Sequence, residues 1–498
     1  MKLEELAKVI GALAAVGRLD AEARDVTHDS RGCAPGSVFA AIRGDKLDGH
    51  RFIPQALDHG AVAIISEQSY DAGVHAPAWI QVADARVALA AAAAAVHGHP
   101  SRRLKLIGVT GTNGKTTTAH LIDSIIRVGE GTSAIFGTIS HRIGRQSATA
   151  QHTTPEASDM QRMLAEAVEA GCRSAVMEVS SHAIELHRAD CLHFAVAVFT
   201  NLTRDHLDFH RTMENYFAAK EKIFSGALGS EPAVSVINSD DEYGRMLTRS
   251  AKGRITWYGF NERADVRTKE YTADASGLRF TAETPAGSVE ITSKLVGRPH
   301  VYNALAAVAT GVALGFDLSE IARGIAECPS VPGRFEQVVA GNLRVPGFSV
   351  IVDYAHTDDA LQNVLTTARE LVKGAGRVIA VFGCGGDRDR TKRAPMGFVA
   401  ATLSDVTIVS SDNPRSEDPM AIIDDIEAGL KKSGRPYEKV PDRREAIFRA
   451  IAQARTGDVV VIAGKGHESY QIIGDRRIHF DDREVAREAM SQQGSGAA

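Results

Sequence analysis

The sequence is poor in cysteine, and the few cysteines are widely separated. Five cysteines are dispersed along 498 residues, with no Cys-x-x-Cys spacing among them. This excludes a disulfide framework and argues against a zinc site built on cysteine pairs. An excess of positive charge is also missing, because 57 Lys and Arg stand against 62 Asp and Glu. A protein that binds nucleic acid over a broad surface would be strongly basic, so nucleic acid is not an expected partner.

Long apolar segments are absent as well. The most apolar run, Val87 to Val96, has ten residues, whereas a membrane-spanning helix needs about 20. The chain starts with Met-Lys-Leu-Glu-Glu-Leu, which is acidic and does not resemble the basic start of a secretory signal. We therefore expect a cytoplasmic protein without a membrane partner.

The length predicts about three domains, and changes in composition divide the chain into residues 1–100, 101–335 and 336–498. In the second and third segments, short apolar runs alternate with helical patterns, as in a parallel sheet covered on both faces. Residues 265–294 differ, because they are Thr-rich and alternating, which predicts an antiparallel excursion of the central domain. The expected fold class is α/β, with a P-loop ATPase-like central domain and a Rossmann-like C-terminal domain.

A Gly-rich segment directly follows the first apolar strand of the central domain. Its sequence is Gly111-Thr112-Asn113-Gly114-Lys115-Thr116-Thr117, and a helical pattern comes next. Glycines let backbone N–H groups face an anion, and the helix N-terminus adds its positive end. The segment therefore predicts a phosphate site, with Lys115 at the β- and γ-phosphates and the Thr116 hydroxyl on Mg²⁺. Val109 departs from the common loop, which has glycine at that position.

A phosphate loop does not identify a reaction, because switches, kinases, motors and ligases share it. No Asn in this chain is followed by Lys, so the guanine-specific Asn-Lys-x-Asp motif is absent. This argues against a GTPase switch.

Polar residues follow the next predicted strands. Glu178, Ser180 and His182 alternate along one apolar run, which predicts that they share a strand face. Glu178 is a candidate Mg²⁺ ligand, with a structural ion pair as the alternative. His206 is either a metal ligand or a residue that packs its loop, since Mg²⁺ prefers oxygen. By composition alone, Lys220 is typical of an exposed helix surface.

Together these motifs resemble the Mur ligase family, the ATP-dependent amide ligases that build peptidoglycan precursors. The resemblance covers all three segments. It includes three further motifs, Gly297 to Asn303, Pro332 to Glu336, and Asp353 to Thr357. Within the family, the sequence Asp412-Asn413-Pro414-Arg415 is similar to that of the members that add diaminopimelate.

The resemblance implies roles for individual residues. ATP would be held by Gly111 to Thr117 together with Asn303, Arg334 and Asp353. Thr116 and Glu178 would bind one Mg²⁺, and His206 would help to bind a second. Lys220 matches a lysine that the family carries as a carbamate, and Lys115, Lys220 and His206 would be catalytic.

The resemblance also assigns two further binding regions. The UDP-sugar and its peptide would contact His28, Ser30, Asp45, Lys46, Leu47, His152, Thr153, Thr154, Ser180, Leu186 and Arg188. Leu186 stands where a relative has Gln, so no polar contact follows from it. Diaminopimelate would contact Arg388, Asp412, Asn413, Pro414, Arg415, Gly464 and Glu468. Its second carboxylate suits a guanidinium fork.

The implied reaction joins meso-diaminopimelate to UDP-N-acetylmuramoyl-L-alanyl-D-glutamate through an acyl phosphate, with ATP and Mg²⁺, in a monomeric enzyme. Three alternatives stay open at this point. They are a lysine-adding or other-stage member of the family, an enzyme similar to folylpolyglutamate synthetase, and a P-loop switch or binding module.

Overall fold

The computed structural model describes residues 1–44, 47–274, 276–339, 347–372 and 374–495. These residues form three larger sheets and one separate hairpin, with helices between the strands. The predicted α/β class is therefore confirmed. Asp45 and Lys46, which the resemblance assigns to the nucleotide sugar, lie outside the described residues.

The first sheet has the order β1-β5-β4-β3-β2 and is parallel except for β1. Its strands are β1 (Ala14–Gly17), β2 (Asp25–Thr27), β3 (Ser37–Ala40), β4 (Ala63–Ser66) and β5 (Ala78–Gln81). Its helices are α1 (Leu3–Val9), α2 (Ile53–Asp58) and α3 (Ala85–Val96). The Ala-rich run in the sequence is thus the buried helix α3, in which most alanines are inaccessible to solvent.

The phosphate loop follows the first strand of the second sheet. Its strands are β6 (Lys105–Thr110), β7 (Ala134–Phe136), β8 (Ser140–Ile143), β9 (Gln146–Thr149), β10 (Ser174–Glu178), β11 (Phe194–Phe199), β12 (Val234–Asn238), β13 (Arg254–Gly259), β14 (Val266–Arg267), β15 (Tyr271–Asp274), β16 (Gly277–Thr284) and β17 (Gly287–Ser293). The helices of this part are α4 (Lys115–Glu130), α5 (Ala157–Glu169), α6 (Ser181–Glu185), α7 (Leu207–His210), α8 (Met213–Ser225), α9 (Glu242–Met246), α10 (Arg298–Leu314) and α11 (Leu318–Glu327).

Strand β6 lies in the middle of this sheet, between β10 and β11, and both pairings are parallel. Successive side chains of a strand point to opposite faces. Accordingly, Leu106 packs into the core on one face, whereas Ile107 and Val109 pack into the core on the other. A strand buried on both faces needs a continuous apolar run, which is why β6 is readily recognised in the sequence.

The third sheet has the order β18-β19-β23-β20-β21-β22, parallel except for the edge strand β18. Its strands are β18 (Glu336–Gln337), β19 (Ser349–Asp353), β20 (Val378–Phe382), β21 (Val406–Val409), β22 (Glu438–Lys439) and β23 (Val459–Ala463), followed by the hairpin β24 (Tyr470–Ile473) and β25 (Arg476–His479). The helices are α12 (Asp358–Leu371), α13 (Arg393–Leu403), α14 (Pro419–Ser433), α15 (Arg443–Ala452) and α16 (Asp482–Ser495).

Two details of the central sheet bear on the predictions. The antiparallel excursion is confirmed, because β15, β16 and β17 pair antiparallel at the end of this sheet. The prediction that Glu178, Ser180 and His182 share a strand face is wrong. Strand β10 ends at Glu178, and the Ser180 hydroxyl caps the following helix by accepting a hydrogen bond from the Ala183 N–H. His182 lies in that helix.

The predicted domain boundaries near residues 100 and 335 remain predictions, although each of the three sheets is drawn from one of the predicted segments. Within the described ranges, no helix combines the length and the apolar character needed to cross a membrane.

The C-terminal unit contains a fully buried ion pair that provides a test of its stability. Arg443 on α15 donates to both oxygens of Asp482, and neither side chain is exposed. Arg443→Met leaves a buried carboxylate without its partner, so the free energy of unfolding should fall by about 3–5 kcal/mol. Denaturant unfolding measures the change. The neighbouring exposed pair Arg444–Glu488 provides the control, because Arg444→Met should cost less than about 1 kcal/mol. Equal effects of the two variants would contradict the prediction.

Candidate active site

A cavity of about 480 Å³ lies at the carboxyl ends of the central strands, where open α/β sheets bind ligands. We call each of the three larger sheets with its helices a unit, numbered in chain order. Residues of the second and third units line the cavity together. The predicted site residues that it brings together are Thr112, Asn113, Gly114, Lys115, Thr116, Thr117, Thr153, Glu178, Ser180, His206, Asn303, Arg334 and Asp353.

The phosphate loop forms the wall of this cavity between β6 and α4. Gly111 and Gly114 have φ angles of 146° and 85°, which favour glycine. A Cβ atom at Gly111 would collide with the Thr200 hydroxyl, and one at Gly114 with the Asn303 amide. The first tight turn therefore falls at Gly111 rather than at Val109, which explains the departure from the common spacing. Lys115 Nζ donates to the carbonyls of Gly111 at 3.0 Å and Thr112 at 2.9 Å.

The buried carboxylate of Glu178 lies next to Thr116, the residue after Lys115. The Thr116 hydroxyl donates to Glu178 Oε2 at 2.9 Å, and Thr138 donates to Glu178 through its N–H and its hydroxyl. Arg334 Nη2 donates to the Thr116 hydroxyl at 2.9 Å. A hydroxyl and a carboxylate side by side are oxygen donors of the kind that Mg²⁺ prefers. Among the described residues, no group of three or more His, Cys, Asp and Glu side chains is arranged to hold a metal ion.

His206 lies at the same cavity with a left-handed backbone, at a φ of 56°. Its Nε2 is 3.3 Å from Asp205 Oδ2, and His356 of the third unit approaches the same oxygen at 3.7 Å. Burial lowers the pKa of His206 to about 2, so the imidazole is neutral at physiological pH. Burial disfavours the charged form of Asp205, yet the nearby imidazoles of His356 and His206 hold its pKa well below the usual range.

Lys220 is not an exposed lysine, as composition alone would suggest. It lies on α8 with 1% of its surface exposed, and its Nζ donates to the carbonyl of Gly111 at 2.8 Å. Burial, reinforced by the positive charge of Lys115, holds its pKa well below the ordinary value for a lysine. The environment therefore favours the unprotonated amine next to the phosphate loop.

The described residues assigned to the UDP-sugar and peptide come from the first and second units. His28 Nδ1 is 3.2 Å from the Ser158 hydroxyl, which joins the two units, and the Ser30 hydroxyl donates to Gln55. Arg188 pairs with Glu156 at 2.7 Å. The Thr154 hydroxyl donates to the carbonyl of Glu178. Leu47 is 60% exposed. Of this group, Thr153 and Ser180 are the members that line the cavity.

The residues assigned to diaminopimelate form a separate cluster beyond the cavity, at the carboxyl ends of β21 and β23. Asn413 Nδ2 donates to Glu468 Oε2 at 2.8 Å. Arg415 has a φ of 53°, and its Nη1 donates to the carbonyl of Gly386 at 2.7 Å. Gly464 lies against Asp412, because a Cβ atom there would stand 2.6 Å from Oδ2. Pro414 is buried and Arg388 is exposed. The cluster thus contains both guanidinium and carboxylate groups.

Several residues that connect these regions were not predicted from the sequence. Asp359 on α12 accepts from Asn113 Nδ2 at 2.7 Å, which ties the third unit to the phosphate loop. Asp205 pairs with histidines from two units, and Lys465 is buried beside Glu468. Asp205 precedes His206 directly, and Lys465 directly follows Gly464. The two positions were therefore visible in the sequence, but their burial was not.

Comparisons with known proteins match three consecutive parts of the chain to one family. The description "Mur ligase family, catalytic domain" matches residues 22–103, "Mur ligase middle domain" matches 109–311, and "Mur ligase, glutamate ligase domain" matches 333–466. UDP-N-acetylmuramoyl-L-alanyl-D-glutamate–2,6-diaminopimelate ligase from Solibacter usitatus is 49% identical over 95% of this chain and 94% of its own length. The protein of the same name from Geobacter metallireducens is 45% identical over the full length of both chains.

A solved structure of a ligase with that name is 33% identical, with a TM-score of 0.67 over 99% of both chains. These similarities, together with the geometry of the phosphate loop, show that the chain belongs to the Mur ligase family.

Proposed function

We propose that this chain catalyses the ATP-dependent addition of meso-diaminopimelate to UDP-N-acetylmuramoyl-L-alanyl-D-glutamate, a step in the synthesis of peptidoglycan precursors. The observation that carries the proposal is a single cavity that contains the phosphate loop, the Thr116–Glu178 pair and the side chains of Thr153 and Ser180. ATP phosphates on the loop and a peptide carboxylate at Thr153 and Ser180 then meet in one place. The two relatives described above carry the same enzyme name, and their similarity to this chain covers 95% and 100% of it. This supports the same assignment.

In the first step, an oxygen of the D-Glu γ-carboxylate attacks the γ-phosphorus of ATP. The bond from phosphorus to the β-phosphate oxygen breaks, which leaves an acyl phosphate and ADP. Charge accumulates on the transferred oxygens, and a fixed cation stabilises it more than water does. Lys115 and Arg334 are the cations that line the cavity at the loop. Because Lys115 donates to the loop carbonyl of Thr112 and Arg334 donates to the Thr116 hydroxyl, we assign both cations to the phosphate oxygens.

Thr116 and Glu178 would hold a Mg²⁺ ion, and His206 would contribute a neutral imidazole to a second one. When bound, the ion would neutralise phosphate charge and align the β- and γ-phosphates. Glu178 is oriented for this role by Thr138, whose N–H and hydroxyl each donate to the carboxylate. His206 is held by Asp205.

In the second step, the amine of meso-diaminopimelate attacks the acyl carbon through a tetrahedral intermediate. The carbon–oxygen bond to phosphate then breaks, and the amine loses a proton. We assign the second amino-acid end of this substrate to the cluster around Arg415. The guanidinium would receive its carboxylate, and Asp412 and Glu468 would receive its ammonium. Arg388 is exposed and would complete the carboxylate site.

The function is tested by following phosphate release with UDP-N-acetylmuramoyl dipeptide, ATP and meso-diaminopimelate, and by omitting each substrate in turn. Release should require all three. With ¹⁸O in the γ-carboxylate, one ¹⁸O atom should appear in the released phosphate, because the acyl phosphate is cleaved at its carbon–oxygen bond. Phosphate release that is independent of the amino acid would indicate a nucleotide-binding switch or ATPase instead.

Replacing Arg415 tests the assignment of the amino-acid pocket. Arg415→Lys keeps the charge but loses the planar fork, so kcat/KM for meso-diaminopimelate should fall by about tenfold to a hundredfold. The KM values for ATP and for the nucleotide sugar should not change. Steady-state kinetics measures all three. Arg390 pairs with Asp425 on the surface of the same unit, and Arg390→Lys is the matched control. An equal loss in both variants would argue against the assignment.

We further propose that the enzyme acts in the cytoplasm as a monomer. ATP and a nucleotide-activated sugar are cytoplasmic compounds, and the proposed site is built from one chain. Cell fractionation and light scattering test these two points. Recovery in the membrane fraction, or a dimeric mass, would contradict them.

A further inference from the structure

Lys465 is one of the largest fully buried side chains of the protein. It follows β23 and has no exposed surface. An ammonium group that is removed from water is costly unless it is paired and hydrogen-bonded. The proposed reaction assigns no role to this lysine, and its surroundings show what holds it in place.

The neighbours of Lys465 are residues assigned above to the amino-acid pocket. Its Nζ donates to Glu468 Oε2 at 3.1 Å and to Asn413 Oδ1 at 3.3 Å, and it lies 3.8 Å from Asp412 Oδ1. The ammonium also lies 5.4 Å from the ring centre of Tyr470. The lysine thus contacts three of the pocket's polar residues at once.

These contacts determine the orientation of the pocket's polar groups. Asn413 accepts from Lys465 and from the Ile472 N–H through Oδ1, and it donates to Glu468 through Nδ2. Both ends of its amide are therefore used within the protein. Lys465 and Asn413 both contact the same oxygen of Glu468, which fixes the carboxylate in one orientation.

The charges of this cluster also suit one cationic ligand group. Asp412 and Glu468 carry two negative charges, and Lys465 carries one positive charge. The nearby buried Arg443 is already neutralised by Asp482. Arg415 is assigned above to the carboxylate of the ligand, so one negative charge remains at the other end of the pocket to attract one ammonium group.

We propose that Lys465 is a positioning residue of the amino-acid pocket. It fixes Glu468 and Asn413 so that the pocket recognises the ammonium at the non-reacting end of the incoming diamino acid. This inference rests on the proposed function and assigns Lys465 a part in its substrate selectivity. Lys465 itself does not contact the reacting atoms.

The test compares meso-diaminopimelate with L-2-aminopimelate, which keeps the distal carboxylate but lacks the distal ammonium. The wild-type enzyme should prefer meso-diaminopimelate by about a hundredfold in kcat/KM, because a pocket built for a polar group rejects an analogue that lacks it. Lys465→Met should reduce this preference by about tenfold or more. The change should lie in KM for meso-diaminopimelate, whereas kcat and KM for ATP should stay within about twofold of wild type.

Lys431→Met is the matched control, because Lys431 belongs to an exposed i,i+4 pair on α14 of the same unit. Thermal unfolding checks that each variant is folded. If Lys465→Met does not fold, Lys465→Gln, which keeps hydrogen-bond donors but not the charge, provides the same comparison. If kcat/KM falls equally for the two amino acids, or does not fall, the role of Lys465 is overturned but the proposed function is not. A wild-type enzyme that does not ligate meso-diaminopimelate would overturn the proposed function as well.

Discussion

Lys115→Met should lower kcat for phosphate release by about a thousandfold or more. The lysine is the first residue of α4, and its ammonium lies within hydrogen-bonding distance of two loop carbonyls at the wall of the cavity. Moving it from these carbonyls to the phosphates places a positive charge where negative charge develops during transfer. Methionine has a similar length and no charge, so the variant removes the electrostatic contribution and retains most of the packing.

The measurement is steady-state phosphate release, supported by thermal unfolding to show that the variant is folded. Lys105→Met is a matched control, since Lys105 is exposed at the other end of the same strand β6. The control should keep nearly full activity. Retention of more than about a tenth of the wild-type rate by Lys115→Met would show that this cation is not central to the transfer.

Lys220→Ala should lower activity by about a thousandfold, and short-chain carboxylic acids should restore part of it. Only an unprotonated amine adds CO₂, and burial beside Lys115 holds the pKa of Lys220 well below that of an ordinary lysine. In that addition the amine nitrogen bonds to the carbon of CO₂ and releases one proton. The product is an anionic carbamate at a position where the free amine donates to the phosphate loop.

Lys222 provides the matched control for this experiment. It lies two residues further along α8, is partly exposed, and pairs with Glu185 at 2.6 Å. Lys222→Ala should retain most of the activity and should not respond to acetate or propionate. Wild-type-like activity of Lys220→Ala without added acid would contradict a carbamate. Restoration by acids in Lys220→Ala but not in Lys222→Ala would support it.

The sequence predicts the buried strands well because their apolar runs are continuous. Strands β20 and β23, for example, consist entirely of apolar residues and are buried along their whole length. The hairpin of β8 and β9 was missed because β9 is exposed along its whole length, so it has no apolar alternation. The prediction of Ser180 as a strand residue was wrong because periodicity cannot distinguish a strand residue from the N-cap of the next helix.

The candidate site shows more clearly which features a sequence pattern can predict and which it cannot. The phosphate loop was predictable because its strand, glycines, lysine and helix are contiguous in sequence. Lys220 and Lys465 are typical surface residues by type, and only the tertiary structure removes them from water. The contact of Asn113 with Asp359 joins residues 246 positions apart. No local pattern contains that information, so the link between the phosphate loop and the third unit emerges only from the fold.

The most direct test of the account is the rate of phosphate release with meso-diaminopimelate compared with that for L-lysine, at equal concentrations and with saturating ATP and UDP-N-acetylmuramoyl dipeptide. L-lysine lacks the second carboxylate, which leaves Arg415 without its ligand. We predict a preference of about a hundredfold or more for meso-diaminopimelate in kcat/KM. Equal rates with the two amino acids would contradict the account.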